Sequence, residues 1–299
     1  MPYAEAEGAR IYFEETGTGI PILFIHEFAG DYRSWEPQVR HLSRQWRCIT
    51  YSARGYPPSD APGEEALYGQ DFATRDAIAV LDAADVDKAH IVGLSMGGYT
   101  ALMFALQNPE RVLSATSGGG GSGSAPVDSG NATFAAEARA RAAEMERSGR
   151  IDANAMGHGP TRVQLLDKDL RTWRDFVANL AEHPAAASAM TLRRVQAMRP
   201  TLYGFEAGLK ALETPVLLMV GDEDEPCLDV NLWLKRTMAS AQLAVLPASG
   251  HAINLEEPAM FNGFLERFLV AVERGTWRPR DPRAPVGALT SLGGDAQTP

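Results

Sequence analysis

The sequence predicts an α/β protein with a mostly parallel central sheet, flanking helices and a helical cap insertion. Short apolar runs typical of buried strands, such as Ile20 to Ile25 and Pro215 to Val220, alternate with longer segments of helical periodicity. A stretch without strong strand signals, from Ala125 to about Phe205, interrupts this alternation. The chain has 299 residues, of which 45% are apolar, and is therefore long enough for one large core that carries an insertion.

The core elements alternate between strand and helix along the chain, which is the order of a parallel sheet. The first segment, Gly8 to Thr18, alternates loosely in polarity and ends in Gly17-Thr18-Gly19, which predicts a hairpin turn into the next strand. The further predictions are strands over Arg47–Tyr51, Ala89–Val92, Val112–Thr116 and Gln242–Leu246, and helices over Asp31–Ser43, Asp71–Ala84, Tyr99–Gln107 and Glu256–Val272.

The insertion is predicted to be helical, with helices over Phe134–Arg147, Leu170–Leu180 and Ala185–Met198. The glycine- and serine-rich residues 117–124 precede it and lack the lysine of a phosphate-binding loop, so their composition favours a flexible connector. The predicted domain divisions are a first part of the core (1–124), a helical cap (125–205), a second part of the core (206–273) and a weakly packed or disordered tail (274–299).

Composition and charge argue against several classes of partner. The formal net charge of −10 disfavours nucleic acid, and no run of apolar residues is long enough for a membrane span. The acidic amino terminus has no apolar segment typical of a secretion signal. With only Cys48 and Cys227 in the chain, a disulfide framework is not expected, and the prediction is a cytoplasmic protein that acts on a small molecule.

One motif organises the prediction of function. The residues Gly93-Leu94-Ser95-Met96-Gly97 follow an apolar strand pattern and precede an apolar helix pattern. In such a strand–turn–helix arrangement the serine has a strained backbone, and its neighbours must lack a Cβ atom to avoid clashes. Ser95 is therefore a candidate nucleophile at a sharp turn.

Two further polar groups follow predicted strands of the same sheet. An acidic residue within Asp222 to Glu225 follows one strand, and His251 follows another after Ser249-Gly250. Ligands bind at the carboxyl edge of open α/β sheets, which is where Ser95, the acid and His251 are expected to meet. Because a serine hydroxyl is a poor nucleophile, it needs a histidine to remove its proton and a carboxylate to orient that histidine.

The chain order of serine, acid and histidine resembles that of the α/β-hydrolase fold superfamily, over roughly Ala9 to Val272. The matching motifs are His26 to Gly30, Gly93 to Gly98, Gly221-Asp222-Glu223-Asp224 and Ser249-Gly250-His251. The resemblance implies catalytic residues Ser95, Asp224 and His251, with Asp224 favoured over Asp222 because the acid is the last residue of a Gly-x-x-Asp pattern. It also implies an oxyanion hole formed by the backbone N–H groups of Phe28 and Met96.

The chain departs from this family at Glu27, because relatives commonly have glycine after the histidine that corresponds to His26. Two interpretations remain open. Glu27 either points to solvent or into a salt bridge, or it enters the pocket, where an unpaired carboxylate would oppose oxyanion formation. His26, Glu27, His158 and Trp173 are the predicted substrate-site residues, and Arg193, Arg194 and Arg199 are further candidates for binding a substrate carboxylate.

The resemblance implies a serine hydrolase that needs no metal or cofactor and cleaves a small or medium ester, lactone or enol-lactone through an acyl-enzyme. The nearest alternative is a hydrolase of carbon–carbon bonds in diketone-type substrates, which would use the same residues. A non-hydrolytic ligand receptor on the same fold is the alternative from another class.

Overall fold

A computed structural model describes residues 2–126 and 132–287 of the protein. Eight strands form one sheet in the order β1-β2-β4-β3-β5-β6-β7-β8. In this order, each strand from β4 to β8 runs parallel to the next. The predicted α/β class with a mostly parallel sheet is therefore confirmed. The strands are β1 (Tyr3–Ala6), β2 (Ala9–Thr16), β3 (Pro21–Ile25), β4 (Arg47–Tyr51), β5 (Ala89–Leu94), β6 (Val112–Gly118), β7 (Val216–Gly221) and β8 (Ala241–Leu246).

The predicted hairpin at Gly17 to Gly19 is wrong. The strand β2 pairs antiparallel with β1 and β4, so β4 separates β2 from β3. The glycines serve a different packing need, because a Cβ atom on Gly17 would lie 2.3 Å from Ser43 O and 2.4 Å from Trp46 O. The turn thus packs against the backbone that leads into β4.

Helices cover both faces of the sheet, and each face buries its own apolar cluster. Residues of α2, α3 and α10 pack on one face, and residues of α1 and α12 on the other. None of the described helices combines the length and apolar character needed to cross a membrane. The core helices are α1 (Glu36–Leu42), α2 (Gln70–Ala83), α3 (Met96–Gln107), α9 (Glu206–Ala211), α10 (Glu225–Thr237), α11 (Ile253–Glu256) and α12 (Pro258–Glu273).

From residue 132 onward, the described chain before α9 is mostly helical, and residues 132–205 are called the cap below. The three predicted cap helices are present, although the last one changes at Leu192 into a π-helical turn that ends at Gln196. Two short helices, α5 and α6, lie between the first two and were not predicted. The cap helices are α4 (Ala132–Ser148), α5 (Ala153–Gly157), α6 (Val163–Lys168), α7 (Leu170–Ala181) and α8 (Ala185–Thr191).

The predicted tail begins with ordered contacts. Trp277 packs edge-on against Phe268 with ring centroids 4.6 Å apart, and its indole N–H donates to Ser240 O at 3.2 Å. The backbone N–H of Arg280 donates to Ala239 O at 2.8 Å. Residues 288–299 of the predicted tail lie outside the described residues.

Candidate active site

Ser95 lies at an abrupt turn between β5 and α3, with φ +54° and ψ −109°. A Cβ atom on Gly93 would lie 2.0 Å from Gly97 O, and one on Gly97 would lie 2.0 Å from Ile25 O. Only glycine fits at these two positions, as the sequence motif predicts. The same close approach places the turn directly against the end of β3.

Three side chains meet at the carboxyl edge of the sheet and form a chain of hydrogen bonds. Ser95 Oγ lies 2.7 Å from His251 Nε2, and His251 Nδ1 lies 2.7 Å from Asp224 Oδ2. Asp224 is 1% exposed, whereas Ser95 and His251 are 6% and 9% exposed. The carboxylate is thus shielded from water while the serine and the histidine lie nearer the surface of the core.

Asp222 and Asp224 occupy different positions, which separates the two candidates for the acid. Asp222 is exposed, and its Oδ1 accepts the backbone N–H of Ser249 at 3.0 Å. Its carboxylate braces the loop that leads to His251. Of the two, only Asp224 contacts the imidazole, so Asp224 remains the candidate for the acid.

The pKa of His251 depends on several buried charges. Burial lowers this pKa, but the charge and hydrogen bond of Asp224 raise it more, so that it lies above the usual value for histidine. Arg162 lowers it and Glu27 raises it. Both charges therefore act on the imidazole that contacts Ser95.

The glycine-rich residues that follow β6 are part of the site, and the prediction of a flexible connector is wrong for residues 117–121, which are all buried. Gly119 has φ +52°, and a Cβ atom there would lie 3.1 Å from Asp224 Oδ2 and 3.4 Å from His251 Nδ1. Its N–H donates to Met219 O at 2.7 Å. The composition suggested flexibility, but the glycines allow a buried turn beside the acid and the histidine.

The loop that carries His251 is braced from two sides. The buried carboxylate of Glu256 accepts the N–H groups of Gly250 at 2.7 Å and Ala252 at 2.9 Å. From the cap, Thr161 O accepts the N–H of His251 at 2.8 Å. The position of the imidazole therefore depends on both the core and the cap.

The oxyanion loop, residues 26–31, follows β3 and begins with a structural histidine. The N–H of Ala53 donates to His26 Nε2 at 2.9 Å, so the ring proton is on Nδ1 and is donated to Glu27 O at 2.6 Å. Burial lowers the pKa of His26 to about 4, which keeps the ring neutral. His26 thus holds the loop against the 53–56 turn.

Phe28 and Met96 have the free N–H groups that the resemblance implies. In the described part of the chain, neither backbone N–H donates to a protein acceptor. The two side chains belong to one small apolar cluster with Tyr56 and Val195. Because the Ser95 turn packs against the start of the oxyanion loop, the two N–H groups belong to adjacent segments of the chain in space.

Glu27 combines the two interpretations left open by the sequence, because it forms a salt bridge and is also buried beside the site. Its side chain is 2% exposed and accepts two hydrogen bonds from the Arg162 guanidinium, one of them with Arg162 Nη1 and Glu27 Oε1 2.8 Å apart. Burial raises the pKa of Glu27, but the charge and hydrogen bonds of Arg162 lower it further, so the carboxylate is ionised. Arg162 was not predicted as a site residue.

A second pair of side chains links the oxyanion loop to the cap. His183, which follows α7, places Nε2 3.2 Å from Asp31 Oδ2, and both side chains are almost completely buried. Asp31 also accepts hydrogen bonds from Arg33, whose guanidinium contacts Glu182 at 2.9 Å. The two ends of the oxyanion loop therefore contact different parts of the cap.

Two of the predicted substrate-site residues contribute to cap structure. His158 is exposed, with Nδ1 2.8 Å from Asn154 O and its ring against Trp173, so the structure does not bring it into the cluster around Ser95. Trp173 is buried in the apolar cluster of the cap, and its indole N–H donates to Gly157 O at 2.8 Å. Both residues hold the end of α5 against α7.

The cap arginines have separate environments. Arg193 pairs with Glu146 at 2.7 Å and with Glu65 at 3.3 Å, near the surface. Arg199 is buried, donates to Ser122 O at 2.6 Å and lies over the ring of Tyr99. No carboxylate pairs with Arg199 among the described residues.

One group of side chains has the composition of a metal site. Asp224, Cys227 and His251 bring one ligand atom each within 4.8 Å of one another. However, Asp224 and His251 bond to each other, and Cys227 Sγ lies 3.1 Å from Gly119 O. Burial raises the pKa of the Cys227 thiol well above its usual value, and a protonated thiol is a poor metal ligand.

A hydrogen-bonded serine, histidine and aspartate at the carboxyl edge of a mostly parallel sheet is an arrangement typical of the α/β-hydrolase fold. The sequence model of the alpha/beta hydrolase fold family matches residues 20–258. The chain therefore belongs to the alpha/beta hydrolase fold family and is a hydrolase.

Relatives with different substrates resemble the chain to a similar degree. It is 27% identical to 3-oxoadipate enol-lactonase 1 of Acinetobacter baylyi over 84% of this chain and 89% of the relative. It is 28% identical to 2-hydroxymuconate semialdehyde hydrolase of Pseudomonas sp. strain CF600, over 90% and 93% of the two chains. The structure of the enol-lactonase from Burkholderia xenovorans LB400 superimposes with a TM-score of 0.77 at 19% identity, covering 90% of this chain and 100% of that one.

Proposed function

We propose that the protein is a serine hydrolase that cleaves a small or medium ester, lactone or enol-lactone through an acyl-enzyme. The observation that carries this proposal is the continuous chain of 2.7 Å contacts from Ser95 Oγ through His251 to Asp224. The free N–H groups of Phe28 and Met96 support it, since acyl transfer needs donors for an oxyanion.

In the first half of the proposed reaction, His251 Nε2 takes the proton of Ser95 Oγ as the oxygen attacks the carbonyl carbon. The carbonyl oxygen becomes an oxyanion and accepts the N–H groups of Phe28 and Met96. Asp224 keeps the Nδ1 proton of His251 in place and stabilises the imidazolium. The intermediate collapses as His251 donates its proton to the leaving oxygen.

In the second half, His251 takes a proton from water, which attacks the carbonyl carbon of the acyl-enzyme. Collapse of this second intermediate returns the proton to Ser95 Oγ and releases the carboxylic acid. With a lactone, the leaving oxygen stays attached to the acyl group, so one ring-opened acid is released. Every step in this scheme uses groups of the chain and water only.

Cleavage of a carbon–carbon bond is the second candidate, and the similarity to 2-hydroxymuconate semialdehyde hydrolase supports it. The same residues would act, with a carbon leaving group in place of oxygen. We do not retain the non-hydrolytic receptor, because the family is hydrolytic. The proposed location remains the cytoplasm, in keeping with the two buried free cysteines.

A fluorophosphonate probe tests the serine hydrolase proposal. It should form one covalent adduct, located at Ser95 by mass spectrometry of the digested protein. The Ser95→Ala variant is the control and should form none. Folded wild-type protein that stays unlabelled would contradict the proposal.

Paired substrates distinguish the two reaction types. We expect turnover of short p-nitrophenyl esters and simple lactones to exceed turnover of vinylogous diketones. Fast diketone cleavage with negligible ester turnover would reverse the preference in favour of the carbon–carbon hydrolase. Both assays should fail with Ser95→Ala, which shows that each depends on the same serine.

A further inference from the structure

The oxyanion loop contains an ionised carboxylate at an unexpected position. Glu27 directly precedes Phe28, whose N–H is a proposed oxyanion donor, and its side chain is buried rather than directed to solvent. It is close enough to His251 to raise the pKa of the imidazole. An unpaired negative charge here would repel an oxyanion, and the repulsion would be strong because water is largely excluded.

Arg162 removes this difficulty. Its guanidinium donates two hydrogen bonds to the Glu27 carboxylate, is itself nearly buried and packs over the ring of Phe176 at 5.0 Å. Burial lowers the pKa of Arg162, but Glu27 raises it further, so the arginine keeps its charge. The two opposite charges meet only when the cap is docked on the core, because Arg162 belongs to the cap and Glu27 to the loop after β3.

The same cap residues continue to the histidine. Thr161, next to Arg162 in the chain, accepts the N–H of His251 at 2.8 Å, and Gln164 donates to Glu223 at 2.7 Å. A single short stretch of the cap therefore contacts the oxyanion loop, the histidine loop and the loop of the acid. Among the described cap residues, no other stretch forms hydrogen bonds with all three loops.

We infer that Arg162 is a positioning residue that neutralises Glu27, so that docking of the cap removes the repulsion between the oxyanion loop and an anionic transition state. This inference rests on the proposed function. The charged groups that face His251 are Asp224 after β7, Glu27 after β3 and Arg162 from the cap, with Glu256 behind the loop. The neutral Cys227 thiol of α10 also faces the ring. Of these, only Arg162 is positive.

The test combines Arg162→Met, Glu27→Gln and the double variant that carries both changes. Arg162→Met leaves Glu27 unpaired and should lower kcat about 100-fold at pH values where its carboxylate is ionised, with KM changed by less than about threefold. The double variant has no charge to neutralise and should recover to within about 10-fold of the wild-type kcat. Circular dichroism should confirm that each variant is folded.

The pH dependence of kcat/KM supplies a readout that a merely structural role would not move. Activity rises with pH as His251 loses its proton, so a higher pKa moves this acid limb to higher pH. Arg162→Met removes the charge that lowers the pKa and should move the limb up by about half a pH unit or more. Glu27→Gln removes a charge that raises the pKa, so the limb should move down.

Arg193→Met is the matched control, since it removes another cap arginine that pairs with two glutamates, but near the surface. It should leave kcat and the acid limb unchanged within about twofold. The inference would be overturned if the double variant were as slow as Arg162→Met and the acid limbs of both single variants matched that of the wild type. Arg162 would then be only a contact that docks the cap. If Arg162→Met does not fold, the downward shift in Glu27→Gln decides, and an unmoved limb there overturns it.

The proposed function and the role of Arg162 can be contradicted separately. The fluorophosphonate adduct on wild-type Ser95 is measured first, and its absence contradicts the proposed function. An adduct on wild-type protein, together with unchanged kinetics in the Arg162 and Glu27 variants, contradicts only the role of Arg162.

Discussion

The Ser95 turn and the oxyanion loop lie side by side, but different forces hold them in place. Backbone packing fixes the turn, since Gly93 and Gly97 allow contacts that no side chain would permit. Buried charges that reach the cap hold the oxyanion loop, through Glu27 with Arg162 and Asp31 with His183. The core thus positions the proposed nucleophile and the Met96 N–H group, whereas the loop that carries the other proposed oxyanion donor, Phe28, depends on the cap.

We call the Ser95 turn, residues 93–97, the rigid half of the site and the oxyanion loop the dependent half. The difference matters for function, because the dependent half reaches its full set of contacts only when the cap is docked. Packing against backbone atoms changes little with small motions of the cap, whereas an ion pair is lost when its partners separate. Substitutions at the turn should therefore affect folding or chemistry outright. Substitutions in the Glu27–Arg162 and Asp31–His183 pairs should instead lower turnover by different amounts.

The largest expected effect on activity comes from Ser95→Ala. Loss of the nucleophile should lower kcat/KM by more than about 1,000-fold, whereas the fold should persist because a single hydroxyl contributes little to packing. Esterase assays and circular dichroism of the purified variant measure the two properties. Loss of the native spectrum would show that Ser95 is needed for folding and not only for chemistry.

Gly97→Ala tests the rigid half directly. The new Cβ atom would lie 2.0 Å from Ile25 O and 2.6 Å from Ile25 C, so the backbone must shift, and we expect a loss of about 4 kcal/mol or more in the free energy of unfolding. Urea denaturation followed by fluorescence measures this loss. A variant as stable as the wild type would show that the turn is less tightly packed than the structure indicates.

Asp31→Asn tests the carboxyl-terminal end of the oxyanion loop, opposite the end that contains Glu27. The amide keeps the size of the side chain but loses the charge that holds His183 and Arg33, so kcat should fall about three- to tenfold. The control is Asp281→Asn, which removes an exposed carboxylate that pairs with an arginine two residues later in the same way. Equal kinetics of the two variants would exclude a role for the Asp31 pair in turnover.

The smallest expected effect is at Gly263, in the exposed middle of α12. A Cβ atom there meets nothing within 4 Å, so Gly263→Ala should raise the free energy of unfolding by about 0.5 to 1 kcal/mol. Activity should not change. A destabilised variant would show that the contrast with Gly97 does not come from the space around each glycine.

The sequence indicated the Ser95 turn and the strand ends that precede Asp224 and His251, because these signals are local. Gly93, Ser95 and Gly97 stand within five residues, and Asp224 and His251 each follow a recognisable strand. The order of the first strands was not predictable from polarity, since β4 inserts between β2 and β3 through contacts distant in sequence.

The cap partner of Glu27 was missed for a physical reason. Arg162 and Glu27 are 135 residues apart, and Arg162 precedes a short helix with no strong pattern of its own. The role of residues 117–121 was predictable in principle, because a glycine-rich turn after a parallel strand, between the serine and acid strands, lies at the ligand-binding edge. Composition alone suggested a flexible connector instead.

Hydrogen–deuterium exchange of wild type and Arg162→Met compares the two halves most directly. We expect the amides of residues 27–31 to exchange faster in the variant, and those of residues 93–98 to exchange as in the wild type, because only the oxyanion loop loses a buried partner. Exchange that increases equally in both segments, or in neither, would contradict the conclusion that the core holds the nucleophile and the cap holds the oxyanion loop.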